Sequence, residues 1–201
     1  HKIIPTILSR CQIFDFNRIK IRDISGHLAH VADSESVSID SEALNVIAHK
    51  ADGAMRDALS IFDQIVSFSG RNISYKDVIS NLNVLDYDYY FRLVDLFLKN
   101  DISGSLLLFN DILDHGFDGH HFITGLSSHF RDVMVCKDQV TIQLLEVCGE
   151  IKEKYKIQAL SCESDFLIGA LQIANECDLQ YNAIQNKRLL VELPVIKITQ
   201  L

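Results

Sequence analysis

Along most of this chain apolar residues recur three and four positions apart, the period of a helix with one buried face. Ile24, Leu28 and Val31 predict a helix over about 24–32, with Asp23 as its N-cap. Ala43, Leu44, Ile47 and Ala48 predict a second, starting within Ser38–Ser41. Met55, Leu59, Phe62 and Val66 form the stripe of a third, running from about Asp52-Gly53 to Phe68. Ser69-Gly70-Arg71-Asn72 closes it with turn-forming residues. Ser74 then caps a fourth helix, Tyr75 to about Leu82.

Asn83-Val84-Leu85-Asp86 breaks the periodicity, and a longer run of helices follows. The pattern predicts them over about 88–98, 103–113, 118–136 (capped by Asp118), 140–154, 163–182 and 183–198. His115-Gly116 stops the second of these. The last contains Pro194, which costs a helix interior about 3 kcal/mol. Its β-branched neighbours would also suit a strand; the expectation is a helix kinked at Pro194. Before residue 17 the signals change type. Pro5, Ile4, Ile7 and Leu8 predict a short helix ending at Arg10, where a cation meets the negative end of the dipole. Cys11, Ile13, Phe14 and Phe16 predict a brief buried strand.

Composition narrows the class without altering this picture. Hydrophobic residues make up 48% and charged residues 23%, ordinary for a globular chain. No uncharged apolar run approaches the roughly 18 residues of a membrane helix, and no secretion signal is evident, so a cytoplasmic protein is expected. The chain opens on His1 and runs straight into apolar sequence, as a piece of something longer would. Its five cysteines (Cys11, Cys136, Cys148, Cys162, Cys177) are scattered without a C-x-x-C pair, which favours buried free thiols over a metal or redox site. The net charge is −8, but residues 1–22 carry Lys2, Arg10, Arg18, Lys20 and Arg22 against Asp15 alone. That leaves −12 for the rest, which repels a phosphate backbone. Phosphate contact, if any, is local, and strong direct nucleic-acid binding is not expected.

Within that acidic body one cation is oddly placed. Arg56 stands in the first turn of its helix, where backbone amides already carry partial positive charge. Either Asp52 and Asp57 neutralise it, or it waits for an anion held jointly with the helix start. Other candidates read as structural. His115, His120, His121 and His129 gather near the seventh helix, with His121 and His129 two turns apart and able to share a face, yet no Asp/Glu-x-x-His grouping converges; no metal site is assigned. Lys152, Lys154 and Lys156 alternate with Glu150 and Glu153 as on a solvated face. Tyr87, Tyr89, Tyr90 and Phe91 could stack on bases, but with only Arg92 beside them packing is the simpler role. No G-x-x-x-x-G-K-[ST] occurs, nor a strand ending in an acidic pair, so the phosphate cradle and metal ligands of phosphoryl transfer are missing.

The segment Pro5-Thr6-Ile7-Leu8-Ser9-Arg10-Cys11-Gln12, with its flanks, resembles the arginine-finger segment of the clamp-loader ATPases of the gamma/tau type in bacterial DNA polymerase III. Gly53-Ala54-Met55-Arg56-Asp57-Ala58-Leu59-Ser60 resembles the sensor-2 motif of the same family, at the family's order and spacing. The likeness covers residues 1–70 by motif and the remainder by helical layout.

The resemblance implies an all-α chain in which a small four-helix AAA+ lid precedes a larger helical-bundle collar. Residues 1–16 would end an ATPase core, 17–82 would be the lid with sensor 2, and 83–201 the collar through which subunits assemble. It implies Arg10 as an arginine finger acting in trans and Arg56 as the sensor-2 contact to nucleotide, with Ser9, Cys11, Gly53 and Asp57 as motif support. ATP with magnesium would bind the full-length protein, none of it this segment alone, and this segment would not be an enzyme by itself. The parent would be an ATPase subunit of DNA polymerase III that loads the sliding clamp onto primed DNA during replication. Its partners would be other clamp-loader subunits, the clamp and DNA, with no membrane involved. Two alternatives remain: a non-catalytic helical oligomerisation scaffold, or the lid region of another replication or repair AAA+ ATPase.

Overall fold

The computed structural model describes residues 4–14, 16–147 and 149–201. Asp15 and Cys148, which entered the charge and thiol readings above, lie outside the described residues, as does Lys2. The architecture is all-α. A four-residue helix α1 (Pro5–Leu8) is followed by an irregular exposed stretch and then by α2 (Ile21–Ser34), α3 (Ser41–Lys50), α4 (Met55–Ser69) and α5 (Tyr75–Leu82). A second group comprises α6 (Tyr87–Leu98), α7 (Ile102–Asp114), α8 (Gly119–Val135), α9 (Gly149–Ser161), α10 (Ser164–Gln180) and α11 (Lys187–Thr199).

Each group closes over its own apolar core. Ile24, Leu28, Ile47, Ala58, Phe62, Ile65 and Val78 are sealed in the first. Leu93, Phe109, Phe122, Phe130, Tyr155, Leu167 and Val191 lie in the second. Burying a Val, Leu, Ile or Phe side chain contributes about 1.5–3 kcal/mol. In α4 the fully buried residues are Ala58, Phe62 and Ile65, while Met55, Leu59 and Val66 pack at the rim of the same core.

Three local expectations need correction. The described residues of 11–16 form no strand: Ile13, Phe14 and Phe16 are 56%, 69% and 92% exposed, and Cys11 is exposed too. A strand needs a partner ladder, and among the described residues the only ladder is elsewhere. It joins β1 (Ser38–Ile39) to β2 (Asn72–Ile73) in parallel, with Ser38 opposite Asn72. The second helix starts at Ser41, at the far end of the expected stretch, and Asp40 turns its carboxylate to the backbone N–H of Tyr75 at 3.0 Å, tying α3 to α5. Asp23 sits in the first turn of α2 rather than at its cap. The carbonyl of Lys20 accepts from the N–H groups of Asp23 and Ile24, at 3.0 and 3.1 Å.

The third correction concerns 140–154. Val140 N–H donates to Asp138 Oδ1 and Thr141 Oγ1 to the carbonyl of Val135, folding a short 3-10 turn at Thr141–Leu144. Leu145 and Val147 are then buried two positions apart, the period of extended chain. Helix resumes only at Gly149. The thiols also divide: Cys162 and Cys177 are buried as expected, Cys136 is half-buried and Cys11 is exposed.

Candidate functional site

The candidate site is assembled from α1 with the residues after it and from the start of α4. Ser9 and Arg10 follow directly on α1. The hydroxyl of Ser9 donates to the carbonyl of Thr6 at 3.1 Å, and the N–H of Arg10 to that of Ile7 at 3.0 Å, finishing the short helix. The Arg10 side chain is exposed and makes no ion pair among the described residues. Cys11 beside it has an open thiol.

Arg56 is the second residue of α4, and it too is exposed. Its expected neutralising partner is engaged elsewhere, because Asp52 pairs with Arg18. Asp57 is exposed in the same first turn, yet no ion pair joins it to Arg56 among the described residues. The N-cap position is Ala54, which has no side chain able to accept from the free amides of the first turn. A guanidinium and uncapped amides thus share one exposed helix start. That combination suits an anionic oxygen and nothing in the described chain supplies one. Residues of this kind fit the phosphates of a nucleotide as peripheral contacts: Arg56 would hold one, and the cradle and metal ligands would have to come from other residues.

Gly53 is placed by the backbone. Its φ of +83° is left-handed, where a residue without Cβ is favoured. No hydrogen bond or ion pair links Arg10 to Arg56 among the described residues. The structure brings Gly53, Arg56 and Asp57 together at one helix start and leaves Ser9, Arg10 and Cys11 on a separate segment.

The other sequence candidates resolve into structural contacts. His120 Nε2 lies 2.8 Å from Asp178, His121 pairs with Asp118 and His115 with Asp111. His129 is 1% exposed in the second core. Its ring is flanked by Tyr90, Phe91 and Tyr155, with centroids 5.8, 4.7 and 4.9 Å away. Gln158 fixes its tautomer: the amide Nε2 donates to the Phe91 carbonyl and Asp95, so its Oε1 must accept from His129 Nε2–H at 2.7 Å. Tyr90 and Phe91 are therefore packing residues.

One set of contacts had no sequence signal beyond Gly149. Asn45 and His49 of α3 both reach the backbone carbonyl of Glu146, at 3.0 and 3.1 Å. Gly149, at φ +62°, leaves room for the Glu42 side chain. Between α3 and the second helical group opens a cavity of about 650 Å³, walled in part by Val46, Lys50, Tyr90 and Phe122.

Comparison with known proteins adds the following. Residues 23–71 match the family described as DNA polymerase III clamp loader subunit, ATPase lid domain. The tau subunit of DNA polymerase III from Bacillus subtilis (strain 168) is 30% identical over 200 residues, covering 100% of this chain and 36% of the relative. The gamma/tau subunit of DNA polymerase III from Mycoplasma genitalium is 32% identical over 176 residues, covering 86% of this chain and 29% of the relative. The chain thus spans about a third of the length of these curated relatives. Among solved structures, the Bacillus subtilis DNA clamp loader delta protein superposes with a TM-score of 0.52 at 16% identity, covering 97% of this chain and 61% of that one. At that identity the likeness is one of fold.

Proposed function

We propose, from the premise that this chain belongs to the gamma/tau family of DNA polymerase III clamp-loader subunits, that it supplies two phosphate-reading guanidiniums and an assembly surface to an ATP-dependent clamp loader. Residues 1–16 end the ATPase core, 17–82 are the lid and 83–201 are the collar. Arg56 contacts the nucleotide of its own subunit. Arg10 reaches the nucleotide bound by a neighbour, as an arginine finger stabilising transition-state charge. The remaining parts of that site, including the phosphate cradle and magnesium ligands, belong to other residues of the full-length protein and its partners.

The observation that carries this reading is Arg56: exposed, without a carboxylate partner among the described residues, at an uncapped helix start inside the family match. Assembly through the collar is supported by large apolar side chains facing outward. Leu107, Leu160 and Leu179 are 72%, 88% and 75% exposed and so open to a partner.

The experiment uses the full-length protein assembled with its partner subunits. Arg10→Ala is expected to lower clamp-stimulated ATP turnover by about 10³-fold or more while leaving nucleotide binding by its own subunit intact. Arg56→Ala is expected to weaken that binding. Arg→Lys at either position also fails, because lysine cannot form the planar two-point contact. Normal turnover and binding in both alanine variants would overturn the reading.

A further inference from the structure

The connector that leads from Arg10 into the lid touches the turn that leads into Arg56. The backbone N–H of Ile19 donates to the carbonyl of Gly53 at 3.1 Å, and the side chains of Arg18 and Asp52 form an ion pair. Asp52 and Gly53 both have left-handed backbones, with φ of +46° and +83°, which turns the chain from α3 into α4 against the connector. A Cβ at position 53 would lie 2.6 Å from Arg18 Cβ and 3.3 Å from Arg18 Cα. Gly70 and Gly116 also have positive φ, yet a Cβ there would meet nothing within 4 Å. Gly53 is therefore required twice, by its dihedral and by the connector lying on it.

We propose that residues 17–20 and the turn 51–54 form a clasp, with Gly53 as a positioning residue, that fixes where the Arg10 segment leaves the lid relative to the start of α4. When Arg56 is drawn toward a phosphate, the clasp moves the root of the Arg10 segment with it, so occupancy of one subunit sets the placement of the guanidinium offered to the next. This rests on the reading of Arg10 and Arg56 given above. The ion pair alone is weak, since both side chains are 74% exposed. The backbone hydrogen bond and the fit at Gly53 hold the connector, and the charges bias it.

The test again uses the full-length protein with its partner subunits. Gly53→Ala is expected to lower kcat for clamp-stimulated turnover about 10- to 100-fold, the effect of misplacing a catalytic group by an ångström. The subunit's own nucleotide affinity falls less than kcat does, because Arg56 remains on its helix while the connector is displaced. Asp52→Lys, a change at an exposed side chain, lowers kcat by repelling Arg18. The exchange of charges, Arg18→Glu with Asp52→Lys, restores it. If Gly53→Ala and Asp52→Lys both turn over within about twofold of wild type while Arg10→Ala is inactive, the clasp is overturned and the assignment of the arginines stands. If Arg10→Ala also turns over normally, that assignment falls and the clasp falls with it.

Discussion

The thiol of Cys177 on α10 donates to the backbone carbonyl of Leu190 on α11 at 3.4 Å. Leu190 lies four residues before Pro194, whose ring nitrogen has no hydrogen to give that carbonyl. The helix runs on through Pro194 from Lys187 to Thr199, and the neighbouring helix fills the vacancy. Asn186 holds the near end, accepting from the N–H of Leu189 at 3.1 Å.

This contact predicts a coupling between residues on two helices. Pro194→Ala restores an N–H for Leu190, so the thiol is then dispensable. Cys177→Ala should cost about 1 kcal/mol more in the Pro194 protein than in the Pro194→Ala protein, the scale of one buried carbonyl losing its donor. Urea unfolding of the four proteins of the cycle measures it, and equal costs in both backgrounds would refute the coupling.

His129 predicts a pH dependence. Burial pushes its imidazole down from 6.5 to about 4, opposed weakly by the Gln158 hydrogen bond. The folded protein keeps the ring neutral where the unfolded chain would protonate it, so unfolding takes up a proton between those pH values. This contribution is fully present above about pH 6.5 and is lost as pH falls toward 4, at about 1.4 kcal/mol per pH unit. His129→Phe fits among the same aromatic rings and removes the titration, at the cost of an unpaired Gln158 Oε1 of about 1–3 kcal/mol. Stability measured from pH 7 to 4.5 should therefore start lower in the variant and fall less steeply.

The contact between α3 and residues 145–147 predicts how the two helical groups hold together. Asn45→Ala with His49→Ala removes both donors to the Glu146 carbonyl. The loss should be about 1–2 kcal/mol, two ordinary hydrogen bonds at a half-exposed interface. Faster amide exchange in α3 and around Glu146, with the core of α8 unchanged, is the expected signature; uniform change throughout would show that the contact does not act locally.

Most of the helices were legible because each buries one stripe. Helix α5 appears with its predicted bounds, since Ser74 forms a capping box with Asp77 and both signals lie within four residues. Arg56 was legible as an anomaly for the same reason: helix position and charge sign are local facts. The 140–154 stretch misled because Leu145 and Val147 answer to the second core through extended chain, and helical period was the wrong ruler for them. The β1–β2 pairing was hidden because two-residue strands 34 positions apart carry no periodicity.

The sequence by itself determined the helical class, the apolar stripes, the Ser74 cap that starts α5, and Arg56 as a misplaced cation, because propensity, capping and the helix dipole act within a few residues; Arg10 was marked by the family resemblance. Tertiary structure alone decided that Asp52 serves Arg18 and leaves Arg56 unneutralised, that Gly53 must lie under the connector, and that Cys177 answers for Pro194. Each of these joins atoms distant in sequence, and a hydrogen bond or a close approach exists only once packing has brought its two ends together.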